Sequence, residues 1–191
     1  MSDTITLEGF HGTSSLNADA ILKGGFRSSL GDKEWLGDGV YFFTEGISSP
    51  QNNAVKWAIA QSWDNTEKKQ TYIDYSVIKA NICVEEDRFL DLTSSEGMKF
   101  FNHLRNKYIE SVKKGKVRPK NQDFKDGHII NDAREFLGIK IDVTKGNFPI
   151  RFETERVYNI KFRTPNTTIL AVFDVNTIIN NLSIIKKGII K

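Results

Sequence analysis

Two short stretches, residues 10–14 and 35–43, constrain the fold more than any others. They read Phe-His-Gly-Thr-Ser and Trp-Leu-Gly-Asp-Gly-Val-Tyr-Phe-Phe, so each is a short apolar strand that meets one polar side chain and a glycine. Only one compact helix and a glycine pair separate them, and sequential elements are usually neighbours in space. We therefore expect His11 and Tyr41 to face one cleft. Glycine backbone on either side would allow close approach of a flat, phosphate-bearing ligand.

The composition is typical of a globular protein. The chain has 191 residues, of which 39% are hydrophobic and 27% charged, which suits one domain (residues 1–191) with a substantial core. A net charge of +3 does not by itself call for nucleic acid. Cys83 is the one cysteine, so no disulfide can form within the chain and a reducing cytoplasm is expected. No signal-peptide pattern or membrane-length apolar run is present, so we expect a soluble protein with no membrane partner.

Periodicity assigns the first two thirds of the chain to alternating strands and helices. Strands are predicted at residues 4–10, 40–44, 72–84 and 88–92, and helices at 17–23, 50–63 and 96–113. Asn17 is favoured over Ser14 or Ser15 as the cap of the first helix, and Ser94 or Ser95 starts the long third one.

The last third is predicted to be rich in strands. A turn at 126–128 and a helix at 129–137 precede strands at 139–143, 149–157 and 167–175 and a mixed apolar tail at 179–190. A basic connector at 113–122 is predicted to be an exposed loop, with nucleic-acid contact as the alternative. Early and late strands with helices between them predict an α+β fold.

Few residues could carry chemistry. The three histidines are scattered and lack metal-ligand spacing, and there is no Gly-x-Ser-x-Gly elbow, Walker loop or Gly-x-Gly-x-x-Gly fingerprint. His11 stands apart because Gly12 and Thr13 follow it directly at a strand end. From the residues alone, His11 and Tyr41 are either a pair of site residues or a satisfied histidine and a core tyrosine.

The ordered pieces His11-Gly12-Thr13, Gly25-Phe26-Arg27 and residues 37–42 (Gly-Asp-Gly-Val-Tyr-Phe) resemble the opening of the PARP-like, diphtheria-toxin-type ADP-ribosyltransferases, the H-Y-E clade. The resemblance implies a split antiparallel β-sheet core with flanking helices. It also implies that a helix at 53–60 flanks the pocket and that a strand at 167–174 bears the third motif residue.

The resemblance implies that NAD is the substrate and that no metal is needed. His11 would hydrogen-bond a ribose, the Gly12 backbone would hold the nicotinamide amide, and Tyr41 would stack on the nicotinamide ring. Trp57 would be the second face of that sandwich, and Arg27 a phosphate or adenosine contact. The implied NAD-binding set is His11, Gly12, Thr13, Arg27, Tyr41 and Trp57.

The third motif residue of the family is a glutamate, and this sequence has Thr168 or Ile169 in its place. Substitution there occurs among relatives that transfer a single ADP-ribose. Glu153 and Glu155 form a Glu-x-Glu pair upstream, similar to the motif of another ADP-ribosyltransferase branch. The expected catalytic set is therefore His11, Tyr41 and Glu155, with a solvent-facing Glu155 as the alternative.

The function implied by the resemblance is mono-ADP-ribosyl transfer, a glycosyltransferase reaction, from NAD to a macromolecule. The acceptor would be protein or nucleic acid, and the basic residues at 113–120 lean towards nucleic acid. A bacterial or phage toxin or anti-phage defence effector fits this size, and a neutralising antitoxin could accompany it. The alternatives are an inactive NAD- or ADP-ribose-binding module and, ranked last, an RNA 2′-phosphotransferase.

Overall fold

Most strands of the chain join one sheet. The computed structural model describes residues 3–31, 34–116 and 125–190. The strands of the main sheet are β1 (Thr4–Ser14), β2 (Val40–Phe43), β5 (Asp74–Glu85), β6 (Phe89–Asp91), β7 (Val143–Phe148), β8 (Thr167–Val172) and β9 (Ile179–Ile189), and a separate hairpin is formed by β3 (Trp63–Asp64) and β4 (Lys69–Gln70). The seven strands of the main sheet pair in the order β6-β7-β8-β2-β1-β5-β9. All pairs are antiparallel except β6 with β7, so the α+β prediction is confirmed, with a mostly antiparallel sheet.

Helices cover the sheet and begin at serine caps where the sequence offers them. The N-cap of the first helix is Ser14, whose Oγ accepts from the Asn17 amide at 3.2 Å, so the preference for Asn17 as the cap was wrong. Ser49 and Ser94 cap the next two helices in the same way. None of the described helices is long and apolar enough to cross a membrane. The helices are α1 (Ser15–Gly24), α2 (Pro50–Ser62), α3 (Ser95–Lys113), α4 (Lys125–Glu135), α5 (Glu153–Val157) and α6 (Val175–Ile178), with a 3₁₀ turn at Glu86–Arg88.

The central strands are buried on both faces. In β8, Ile169 and Ala171 belong to one apolar cluster, and Leu170 and Val172 belong to another. Successive side chains of a strand point to opposite faces, so the two clusters are the cores above and below the sheet. The strands that carry the predicted site thus lie at the centre of the molecule.

The predicted strand at 149–157 was wrong. Pro149 follows the last residue of β7, and proline cannot donate to a strand ladder. The chain then turns into α5, where the Phe152 amide donates to the Glu155 carboxylate at 3.1 Å. Glu155 therefore lies on a short helix, and its carboxylate caps the first turn of that helix.

Three other boundaries differ from the predictions. The strand expected at 139–143 begins only at Val143, because Arg134 Nε holds the Ile141 carbonyl at 2.9 Å on α4. The turn expected at 126–128 is instead part of α4. The expected tail forms the long edge strand β9, whose pairing with β5 has two register shifts. Those shifts break the alternation that identifies a strand. Of the basic connector predicted at 113–122, Lys113 ends α3, residues 114–116 are a turn and residues 117–122 lie outside the described part of the chain.

Candidate functional site

Strands β1 and β2 pair at a single registered position, Phe10 with Phe43. Beyond it, residues 11–14 of β1 continue to pair with β5, while residues 40–42 of β2 continue to pair with β8. The sheet therefore opens between its two central strands on the side where His11 and Tyr41 lie.

A cavity of about 910 Å³ lies at this opening. Residues of β1, β2, α1, α2 and the segment between α1 and β2 line it, and its wall is mostly apolar. This size and character are typical of a small-molecule site. Six of the seven predicted site residues line the cavity: His11, Gly12, Thr13, Arg27, Tyr41 and Trp57. Glu155 is not among the lining residues.

His11 is held in one tautomer by β2. Its Nδ1 lies 2.9 Å from the backbone oxygen of Tyr41, and because a carbonyl only accepts, Nδ1 carries the hydrogen and Nε2 is left as an acceptor. The edges of Phe26 and Phe42 pack around the ring at centroid distances of 5.2 and 5.8 Å. Burial lowers the pKa of His11, and the smaller effect of the Tyr41 hydrogen bond raises it. The imidazole is therefore neutral at physiological pH.

The hydroxyl of Tyr41 is committed to the loop that precedes β2. It donates to the Gly37 carbonyl at 2.8 Å and accepts from the Leu36 amide at 2.9 Å. Burial raises the pKa of Tyr41 and the charges of Glu34 and Asp38 raise it further, against the Leu36 hydrogen bond. Tyr41 thus stays protonated, and the part of it that can serve a ligand is its ring.

Gly12 is required by helix packing. A Cβ at position 12 would lie 1.8 Å from the backbone oxygen of Ala54, so the missing side chain lets α2 rest directly on β1. This approach brings Trp57, one turn further along α2, to the cavity wall. The helix backbone therefore occupies the side of Gly12 on which a Cβ would stand, and Gly12 also lines the cavity.

Trp57 is supported by α5. The guanidinium of Arg156 lies over the Trp57 ring at 5.4 Å from its centroid. That guanidinium is itself fixed, because Nη1 donates to the Ala60 carbonyl and Nε to the Arg151 carbonyl, both at 2.9 Å. The segment expected to supply Glu155 to the site therefore supplies Arg156 beneath the tryptophan.

Arg27 and Thr13 lie at the cavity wall, and their side chains make few hydrogen bonds within the described part of the protein. Arg27 is exposed and lines the cavity, so its guanidinium is available to contact a phosphate at the cavity mouth. The Thr13 hydroxyl is half-buried and accepts only a long, 3.5 Å bond from Asn17 Nδ2.

Thr168 and Ile169, the two residues that the resemblance places at the glutamate position, lie on β8, and neither carries a carboxylate. The Thr168 hydroxyl is fully buried; it donates to Asn147 Oδ1 at 2.8 Å and accepts from the Ile47 amide at 3.1 Å. Ile169, the next residue, lines the cavity. At the position where the resemblance implies a glutamate, the residue at the cavity wall is therefore apolar.

One acidic residue that was not predicted from the sequence does lie at the wall. Glu34 lines the cavity, and the Ser29 hydroxyl donates to its Oε1 at 2.5 Å. Within the described residues, no group of three or more histidine, cysteine, aspartate or glutamate side chains could hold a metal ion.

Comparison with known proteins gives a distant relative and no family. No protein-family model matches the chain. An uncharacterised protein of Methanocaldococcus jannaschii is 27% identical over 189 residues, an alignment that covers 93% of this chain and 84% of that protein. The similarity therefore extends over nearly the whole chain, and it carries no assignment of activity.

Proposed function

We propose that this protein is a mono-ADP-ribosyltransferase that uses NAD as its substrate and modifies a macromolecule. The observation that carries the proposal is that His11, Gly12, Thr13, Arg27, Tyr41 and Trp57 line one cavity. They come from separate stretches of the sequence, and they are the same residues that the resemblance to the PARP-like ADP-ribosyltransferases implies for NAD binding. The single registered pair between β1 and β2 also supports the split sheet core of that superfamily.

The proposed reaction exchanges one bond at the nicotinamide-bearing ribose. The bond from C1′ to the nicotinamide nitrogen breaks, and its electron pair stays on that nitrogen, so neutral nicotinamide leaves. A lone pair on an acceptor oxygen or nitrogen forms the new bond to C1′, and the acceptor loses one proton. Positive charge builds up on the ribose in between, so the site must stabilise that charge and exclude water.

The cavity residues suit these tasks. Tyr41 and Trp57 offer aromatic surface for the nicotinamide ring. His11, neutral and with Nε2 free to accept, can take a hydrogen bond from a ribose hydroxyl. Arg27 can contact the phosphates from the exposed edge. The cavity thus supplies groups for the nicotinamide ring, a ribose and the phosphates of NAD.

A second candidate is a binding module for NAD or ADP-ribose that has lost catalysis. Ile169 and Thr168 stand where the resemblance implies a glutamate. Ile169 lines the cavity, and the Thr168 hydroxyl is already hydrogen-bonded to Asn147 and to the Ile47 amide. Both observations favour binding without turnover, unless another residue supplies the acid.

One experiment separates the two candidates. Purified protein is incubated with NAD, alone and with cell lysate, and nicotinamide release is followed by chromatography while NAD binding is measured by calorimetry. Release that is lost in His11→Ala supports the transferase, whereas binding without release supports the module. Absence of both contradicts each proposal.

The acceptor class is identified by the same reaction with labelled NAD. Label that enters lysate material and is removed by protease indicates a protein acceptor, and label removed by nuclease indicates nucleic acid. A toxin or defence role predicts that expression of the wild type arrests bacterial growth and that His11→Ala does not.

A further inference from the structure

Glu34 places a carboxylate at the cavity wall. It is the one acidic residue among the described residues that line the cavity, whose other ionisable members are His11, Arg27 and Tyr41. Its side chain is partly shielded from solvent, and its charge contributes to the raised pKa of Tyr41. Glu34 therefore shares the cavity wall with Tyr41, on whose ring the nicotinamide is proposed to stack.

The backbone that carries Glu34 is packed tightly against α4. A Cβ at Gly127 would lie 2.0 Å from the Glu34 backbone oxygen, so the first turn of α4 rests directly on this residue. Asn131, one turn later, accepts from the Asp38 amide through Oδ1 at 2.9 Å. The segment from 34 to 38 is therefore held along one side by a helix.

Two further contacts fix the same segment from the strand side. The Tyr41 hydroxyl bridges the backbone at Leu36 and Gly37. Ser29, which donates to the Glu34 carboxylate, is itself tied to Gly39 by a reciprocal pair of backbone bonds at 2.8 and 3.0 Å. A rigid surround of this kind is what a catalytic group needs to keep its geometry.

We infer that Glu34 is the catalytic carboxylate of this cavity, acting in place of the glutamate that β8 lacks. The inference rests on the proposed function. In the reaction Glu34 stabilises the positive charge that develops at C1′ as the nicotinamide leaves with the bonding pair. It then takes the proton that the acceptor oxygen or nitrogen releases on bonding to C1′ and passes it to water.

Glu155, unlike Glu34, does not line the cavity. Its carboxylate accepts from the Phe152 amide at the start of α5, and it is not among the residues at the cavity wall. The isosteric change of glutamate to glutamine is therefore expected to lower kcat at position 34 and to leave it unchanged at position 155, which allows a direct comparison.

The test compares Glu34→Gln, Glu155→Gln and Glu45→Gln in the full chain. Glu45 is an exposed carboxylate just beyond β2 and outside the cavity wall, so it serves as the matched control. Nicotinamide release gives kcat and KM, calorimetry with uncleavable carbocyclic NAD gives affinity, and thermal unfolding reports the fold.

We expect Glu34→Gln to lower kcat by about 100-fold or more, the scale of a positioned acid or base. Its affinity for carbocyclic NAD should stay within a few fold of wild type, because the charge acts chiefly in the transition state. The other two variants should keep wild-type kcat.

Wild-type kcat in a folded Glu34→Gln variant would overturn the inference and leave the proposed function standing. A loss confined to Glu155→Gln would overturn it in favour of the helix carboxylate. A wild type that neither binds nor cleaves NAD would overturn the proposed function and this inference with it.

Discussion

The Nδ1 atom of His11 donates a hydrogen bond to the backbone oxygen of Tyr41, 2.9 Å away. These residues belong to neighbouring strands just past the one position at which those strands register. Where the two strands separate, the Tyr41 carbonyl needs another hydrogen-bond donor, and the imidazole of His11 supplies it. The same bond fixes the tautomer of the ring, so one contact both satisfies the Tyr41 carbonyl and leaves Nε2 of His11 able to accept a hydrogen bond from a ligand.

The lowered pKa of His11 predicts a stability that depends on pH. The unfolded chain binds a proton near pH 6.5, while folded His11 resists protonation until lower pH. The unfolded state therefore holds more protons below about pH 6.5, and the free energy of unfolding should fall as the pH drops. One such group contributes at most about 1.4 kcal/mol per pH unit.

Urea denaturation at several pH values between 7.5 and 5.5 checks this, with His11→Asn as the reference that cannot titrate. The difference in unfolding free energy between wild type and variant should shrink as the pH falls. A difference that stays constant over this range would show that His11 has an ordinary pKa in the folded protein.

Gly12→Ala should destabilise the protein by about 3 kcal/mol or more, because the new methyl group would meet backbone rather than a side chain that can move. Displacement of α2 should also move Trp57 and weaken NAD binding. Gly24→Ala is the matched control for stability. Gly24 ends α1 with no atom within 4 Å of the added Cβ and without a left-handed backbone, so the change should be neutral or slightly stabilising. Equal stability of the two variants, measured by urea denaturation, would contradict the packing role of Gly12.

The central part of the fold was predictable because its sequence patterns are local. Strands β1, β2 and β8 and the serine cap of α3 follow from short apolar runs and polar boundary residues. The segment at 149–157 was not predictable in the same way. Its alternating residues fit a strand, and the helix depends on Pro149 ending β7 and on one carboxylate that caps its own turn. Edge strand β9 was missed because its bulges interrupt the alternation.

The residues of the candidate site could be predicted where they stand in a recognisable sequence motif. They could not be predicted where contacts between distant parts of the chain bring them to the cavity. His11, Gly12 and Tyr41 stand in motifs that the sequence displays. Glu34 has no such pattern around it: it precedes Trp35 in a stretch that reads as loop. Its position at the wall depends on tertiary contacts, among them the packing of Gly127 of α4, almost a hundred residues later, against its backbone.

Trp57→Leu should raise the Kd for NAD by about tenfold, roughly 1.4 kcal/mol, because it removes one aromatic face of the cavity. The fold should survive, since leucine keeps apolar contact with the neighbouring core. Trp63→Leu is the control, as Trp63 lies in β3, is 48% exposed and does not line the cavity. Calorimetry with NAD measures both, and equal affinities would remove Trp57 from the site.

Tyr41→Phe tests whether the hydroxyl of Tyr41 acts by holding the Glu34 segment. The variant keeps the ring but leaves the Leu36 amide and the Gly37 carbonyl without their partner, which should cost about 1–3 kcal/mol of stability. NAD affinity should change little because the stacking surface remains, whereas kcat should fall as Glu34 loses its fixed position. Tyr72→Phe is the control: it removes the bond from the Tyr72 hydroxyl to the Ala58 carbonyl on α2, which does not involve the segment from 34 to 38. If both variants lose stability and both keep wild-type kcat, the hydroxyl of Tyr41 stabilises the protein without positioning the carboxylate.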